Sequence, residues 1–213
     1  MSSVAIVANG QFPRKEYPLY LLRSAGHIIC CDGALTRLEK AGIVPDVVIG
    51  DLDSVCGRAL RRFKGIVVKN PDQETNDLTK AVTYTLEHFP DASEIHILAA
   101  TGKSEAHTMG NISLLMQYEK DFGLEEKGIS LDMVSDYSTA SAFSHSGDFH
   151  IGQGRRISIF TADSDLKIHS EGLQWPLDNV VFDNWWKGTL NIASEDIVHL
   201  DLSHPSPVLL ILD

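Results

Sequence analysis

Two hydrophobic periods alternate along the first two thirds of the chain. Short apolar, β-branched runs read as strands: "SVAIVAN" (3–9), "HIICC" (27–31), "DVVIG" (46–50), "GIVVK" (65–69), "EIHILAA" (94–100) and "ISLDMVS" (129–135). Segments of helical period lie between several of them. In "NDLTKAVTYTLEHF" (76–89), Leu78, Ala81, Val82, Leu86 and Phe89 share one face, and Asn76 is a natural N-cap. In "TMGNISLLMQYEKDF" (108–122), Met109, Ile112, Met116 and Leu115 point inward. Strands apolar on both faces, alternating with helices, predict a Rossmann-like parallel sheet with helices on both faces.

From about Tyr137 the pattern changes. "RRISIFTA", "DLKIHS", "NVVFD", "KGTLNIA", "DIVHLDL" and "PVLLIL" follow one another with turn residues between them and no helical period. That predicts an antiparallel β-sandwich or barrel. The polar stretch "SDYSTAS" (135–141) marks the change, so the expected domains are an α/β unit at 1–136 and an all-β unit at 137–213.

Composition adds exclusions. With 213 residues, 43% hydrophobic and 22% charged, both units can bury a real core. The net charge of −11 argues against nucleic acid or an anionic membrane as a partner. Cys30, Cys31 and Cys56 offer neither zinc spacing nor a disulfide framework. The first residues lack a basic region and their apolar run is too short for a signal peptide or a span, so a soluble cytoplasmic protein is expected.

The chemistry gathers at the strand ends, where doubly wound sheets bind ligands. Asn9, Asp32, the Asp51/Asp53 pair and the Asp72, Gln73, Asp77 group each follow a predicted strand. Magnesium takes hard oxygen ligands, a few from protein and the rest from phosphate and water, and Asp51, Asp53 and Asp77 form a plausible set. Each piece has a plainer reading. Asp51-Leu52-Asp53 can be a turn, Asp77 a first-turn carboxylate on the helix dipole, and Asp32-Gly33-Ala34 a helix entry. Gly102-Lys103-Ser104 is no P-loop, because the required earlier glycine position holds Ile97. No G-x-G-x-x-G dinucleotide pattern exists, and His107 is the only histidine placed near this rim.

Taken together, "ANG" (8–10), "CDGA" (31–34), "PDVVIGDLDS" (45–54), "DQETNDLTKA" (72–81), "TGKSEAHTMGNI" (101–112), "EGLQWPL" (171–177) and "GTLN" (188–191) resemble the thiamine pyrophosphokinase family. They stand in the family's order and spacing over nearly the whole chain. The resemblance implies an α/β nucleotide-binding domain followed by a thiamine-binding β-sandwich. It implies transfer of pyrophosphate from ATP to thiamine with magnesium, in a homodimer whose substrate site lies at the subunit interface. It puts Asp51, Asp53, Asp77, Lys103 and His107 in catalysis, with Asp51, Asp53 and Asp77 holding the metal. Asn9, Asp32, Gly33, Gln73, Lys80 and Asn111 would contact nucleotide. Asp51, Gln73, Trp175, Thr189 and Asn191 would contact thiamine, although an aromatic such as Trp175 is often core. The family pattern Gly-(Gly or Lys)-Arg-x-Asp-His reads here Gly102-Lys103-Ser104-Glu105-Ala106-His107, without the arginine and the aspartate. Leu190 stands where a serine usually precedes the pocket asparagine. A homologue that binds without turnover, or a magnesium-dependent phosphohydrolase using the D-x-D pair, are the competing readings.

Overall fold

The computed structural model describes residues 2–53 and 55–213. The chain divides into two compact units, one of residues up to 114 together with 128–136, the other of 115–127 with 137–213.

In the first unit the elements run β1 (Ser2–Val7), α1 (Glu16–Ser24), β2 (His27–Cys31), α2 (Leu35–Lys40), β3 (Val47–Gly50), α3 (Gly57–Arg62), β4 (Ile66–Lys69), α4 (Asp77–His88), β5 (Ala92–Leu98), the start of α5 (Glu105–Phe122) and β6 (Ser130–Val134). The strands lie in the order β6-β5-β1-β2-β3-β4 and pair in parallel throughout. This is the doubly wound architecture that the alternating periods predict. One face of the sheet, with Ala5, Val7, Cys30, Val48, Leu98 and Val134, packs on Leu21 and Leu22 of α1, Leu35 and Leu38 of α2, and Ala59 of α3. The helix α4 packs on β1, β2 and β3 with Leu78, Ala81 and Val82 buried.

Asn76 caps α4 as expected, its side chain accepting the Thr79 N–H at 2.8 Å. Leu86 and Phe89 are only half-buried, while Thr85 and Lys80 of the same helix are buried. Met109 points outward, contrary to the expected inward face, because α5 begins at Glu105 and its first turns lie in the open. The short helices α1, α2 and α3 carry no period long enough to be read from sequence.

A polar pair crosses the sheet. His96 on β5 and Asp132 on β6 are register partners, with His96 Nδ1 2.8 Å from Asp132 Oδ1. The Asp132 carboxylate raises the His96 pKa against the opposing effect of burial. A raised folded-state value means the charged pair stabilises fully below the unfolded histidine pKa and fades as pH rises through the folded one. Asp132→Asn is therefore expected to cost about 1.5–3 kcal/mol in acid, where a charge-assisted bond is lost, and less in alkali. Thermal melts of both proteins at pH 5 and pH 9 check it; a pH-independent difference would contradict it.

The second unit adds β7 (Thr139–Phe143), β8 (Gly147–His150), β9 (Arg156–Thr161), β10 (Ile168–Glu171), β11 (Asn191–Ile192), β12 (Ile197–Leu202) and β13 (Val208–Leu212). Within this unit β11-β9-β13-β7 run antiparallel as one layer, and β10-β12-β8 form a second, antiparallel three-stranded sheet. Ile157, Ile159, Val208 and Leu210 of the first meet Ile168, Val198, Leu200 and Leu202 of the second in one core. This is a β-sandwich, with alternate residues of β12 turned to solvent.

Candidate active site

Strand order reverses between β1 and β5, and a parallel sheet leaves a crevice at such a point. A cleft of about 340 Å³ lies there, lined by Asn9 and Gly10 after β1, Ala100 and Thr101 after β5, and Lys103, Ser104, His107, Thr108 and Asn111 at the start of α5. Ala99 helps to shape it. Its φ of 55° is left-handed, and its carbonyl accepts the Gly10 N–H at 2.5 Å. Arg37 holds the Gly10 carbonyl from the other side at 2.7 Å, a role that sequence reasoning missed. Ser104 begins α5, its hydroxyl accepting the His107 N–H at 3.4 Å and its carbonyl the Thr108 hydroxyl at 2.8 Å. The Lys103 ammonium sits 3.2 Å from Asn9 O and 3.4 Å from Asn9 Oδ1. Asn111 donates to Ala100 O at 2.7 Å and so ties the helix to the end of β5.

The acidic rim adjoins this cleft through Asn9, whose side chain occupies the space a Cβ on Gly33 would need (2.2 Å to Nδ2). Carboxylate oxygens of Asp32, Asp51 and Asp53 lie within 4.8 Å of one another. Two local devices draw them together. Leu52 takes a left-handed φ of 68°, and the Asp53 N–H turns back onto Asp51 Oδ1 at 3.1 Å. Gly50 supplies the second, since a Cβ there would stand 3.1 Å from Asp32 Cγ and 3.2 Å from Asp77 Cγ. A left-handed leucine costs about 1–2 kcal/mol, which a purely structural turn avoids with glycine or asparagine. The strain is spent where like charges converge.

The amide of Asp53 and, more weakly, the side chain of Gln73 hold the Asp51 carboxyl below its usual range. Gln73 Nε2 reaches Asp51 Oδ2 at 3.4 Å. Asp77 lies beside the triplet and carries an internal counter-charge. Lys80 is buried, with its ammonium 3.2 Å from Asp77 Oδ1 and 3.1 Å from Asn70 O. Asp72 is taken up by its own turn, accepting from the Thr75 hydroxyl at 2.6 Å and the Glu74 N–H at 3.0 Å. Burial keeps the Cys30 and Cys31 thiols protonated behind the rim, and Asp32 adds to the effect.

Three carboxylates with converging oxygens are a hard donor set, and they fit magnesium, which needs few protein ligands. Asp32, assigned from sequence to nucleotide, lies in this group, while Asp77 lies beside it.

In the second unit Trp175 is 53% exposed and lies in a bend rather than on a strand. Asn191 is buried and clamps it, accepting the Trp175 N–H at 3.1 Å and donating to the Trp175 carbonyl at 2.6 Å. Thr189 bonds the Trp186 carbonyl at 2.7 Å. Leu190, exposed, adopts a left-handed φ of 56°, its N–H on Ser158 Oγ at 3.0 Å. Of the two unassigned tryptophans, Trp185 packs on Phe160 at 5.6 Å between ring centroids, and Trp186 is 69% exposed.

The chain thus carries a Rossmann-like α/β unit with strand-end carboxylates, followed by a β-sandwich. Comparison places it more narrowly. Residues 19–124 match the family described as "Thiamin pyrophosphokinase, catalytic domain", and residues 141–204 match "Thiamin pyrophosphokinase, substrate-binding domain". The chain belongs to the thiamin pyrophosphokinase family. It is 28% identical to thiamine pyrophosphokinase 1 of Oryza sativa subsp. japonica over 92% of this chain and 81% of that protein. It is likewise 28% identical to thiamine pyrophosphokinase of Bacillus subtilis (strain 168), over 84% and 83%. The crystal structure of thiamine pyrophosphokinase from Bacillus subtilis shares the fold with a TM-score of 0.78, at 21% identity, covering 100% of this chain and 99% of that one. No helix among the described residues is long and apolar enough to cross a membrane.

Proposed function

We propose that the chain transfers a pyrophosphoryl group from ATP to thiamine, giving thiamine pyrophosphate and AMP. The observation that carries this reading is the strained Asp51-Leu52-Asp53 turn, which joins Asp32 in a three-carboxylate group beside a cleft at the sheet's switch point. In the reaction the thiamine hydroxyl oxygen attacks the β-phosphorus and the bond to the α,β-bridging oxygen breaks. AMP leaves with that oxygen, and the hydroxyl proton passes to a rim carboxylate or water. Such transfers depend on positioning and charge neutralisation.

Asp32, Asp51 and Asp53 would hold magnesium, with Asp77 alongside, one oxygen on Lys80. The ion supplies positive charge against the polyphosphate. The lowered pKa of Asp51 suits it to a permanently charged ligand better than to a proton acceptor. Asn9, Lys103, Ser104, His107 and Asn111 line the cleft for phosphate and nucleotide. Gly33 admits the Asn9 side chain, and Gln73 steadies Asp51. In the sandwich, exposed Trp175 offers a flat face for the cationic thiazolium, with Asn191 and Thr189 fixing the surrounding backbone. Two copies are proposed to assemble as a homodimer.

The test is AMP release from ATP and magnesium with and without thiamine. Thiamine-dependent AMP is the expected outcome. Nucleotide hydrolysis indifferent to thiamine would favour the phosphohydrolase reading. Thiamine-induced thermal stabilisation without turnover would favour a binder, since ligand at about 100 times its dissociation constant adds roughly 2.7 kcal/mol.

A further inference from the structure

Residues 8–11 run on from β1 as a strap along the end of β5. The Ala8, Gly10 and Gln11 N–H groups donate to Leu98 O at 2.9 Å, Ala99 O at 2.5 Å and Thr101 O at 2.7 Å. The strap seats so closely that a Cβ on Gly10 would stand 2.6 Å from Thr101 O, so glycine is required there. Its N–H groups thus go to backbone, and the two carbonyls at its centre go to side-chain cations. Asn9 O lies 3.2 Å from Lys103 Nζ, and Gly10 O accepts from Arg37 Nη1 at 2.7 Å.

That choice of partners is unusual in so acidic a protein. The chain has 29 Asp and Glu against 18 Lys and Arg. Yet among the described residues neither Arg37 nor Lys103 forms an ion pair with a carboxylate. A carboxylate would hold either cation and cancel its charge. A neutral carbonyl orients the cation and leaves the charge for an anionic ligand. The two cations differ in place. Lys103 lines the switch-point cleft, and Arg37 is not part of that lining. Arg37 comes from α2, which Leu35 and Leu38 anchor on the sheet, so its bond ties the strap to a fixed element.

The geometry points to Arg37 as a positioning residue: by fixing the Asn9-Gly10 strap it sets where the Lys103 ammonium stands for a polyphosphate in the cleft. Both Asn9 oxygens that hold Lys103 belong to the strap, so they move if it moves. A misplacement of about 1 Å can cost about 10²-fold in rate. This role rests on the proposed transfer reaction.

The experiment is a double-mutant cycle on thiamine-dependent AMP release, using the native chain, Arg37→Met, Lys103→Met and the double variant, with Arg37→Lys alongside. Arg37→Met is expected to lower kcat by about 10–100-fold while KM for thiamine is unchanged. In the Lys103→Met background the same change is expected to cost less than about twofold, because the group it positions is gone. Arg37→Lys, whose ammonium can still donate to one carbonyl, is expected to recover most of the rate. Circular dichroism checks folding, and Arg37→Gln takes the place of Arg37→Met in the cycle if the latter does not fold. Losses that multiply across the cycle, or full activity in Arg37→Met, would overturn the positioning role and leave the transfer reading intact. A native chain that releases no thiamine-dependent AMP would overturn the transfer reading instead. The cycle is then read on the dissociation constant of magnesium α,β-methylene-ATP, whose bridging carbon prevents release of AMP. Losses of affinity that fail to multiply would support the role of Arg37, and losses that multiply would overturn it.

Discussion

Asp51→Asn and Asp53→Asn are each expected to reduce thiamine-dependent AMP formation by about 10²-fold or more, the scale for removing one group that stabilises transition-state charge. The fold should survive both changes. Asparagine at 51 keeps an oxygen for the Asp53 N–H, and neither side chain belongs to the hydrophobic core. The Asp51 carboxylate is favoured in its charged form by its hydrogen bonds, which asparagine keeps in part, so the melting temperature without magnesium should fall only slightly. Magnesium should then stabilise the native protein and fail to stabilise either variant, because only a ligand that binds the folded state shifts the melt. Activity and melting with and without magnesium measure both effects. Full activity in both variants would remove the metal assignment. A collapse in melting temperature would instead make the turn a folding element whose charge is incidental.

The rim was legible in the sequence because each strand of a parallel sheet ends in the same direction. A D-x-D after "DVVIG" and Asp32 after "HIICC" must therefore reach one edge, whatever the loop details. What escaped sequence reading was the distribution of charge within the rim. Asp77 reads as a ligand equal to Asp51 and Asp53, but Lys80 lies one turn further along α4 and is buried against it. Periodicity cannot show that a lysine on a helix faces inward. The helix α4 was readable because its apolar face spans three turns and Asn76 caps it. The six-residue helices α2 and α3 are too short for a period, and Pro18 interrupts the pattern of α1 in its first turn. In the sandwich, alternation gave the strands, as in β12. The exposure of Trp175 depends on an Asn191 clamp sixteen residues away, which no local pattern encodes.

Lys103→Met is expected to lower the rate by about 10³-fold, the lower end of what an arginine on a transferring phosphoryl group contributes. Among the residues lining the switch-point cleft, Lys103 is the only lysine or arginine, and Asn9 holds its ammonium in place. The family resemblance implies an arginine at the position held by Ser104, whose hydroxyl accepts the His107 N–H at the start of α5. Ser104→Arg in the Lys103→Met background should therefore recover much of the lost rate, since a planar fork engages phosphate oxygens in pairs where an ammonium acts as a point charge. The same change removes the serine at the helix start, at a cost of about 1 kcal/mol. Ala106→Asp puts a carboxylate in the exposed first turn of α5, where the helix dipole returns about 0.3–1 kcal/mol, so Ser104→Arg/Ala106→Asp should be nearly neutral in stability. Rates and melts of the native chain, Lys103→Met, Lys103→Met/Ser104→Arg and the Ser104→Arg/Ala106→Asp pair distinguish the cases. A native enzyme crippled by Lys103→Met and rescued by Ser104→Arg has moved its phosphate cation by one residue. Full activity in Lys103→Met would leave the charge to magnesium alone. A silent native chain that becomes active in the Ser104→Arg/Ala106→Asp pair would be a protein that kept its binding sites after losing the charges that drive transfer.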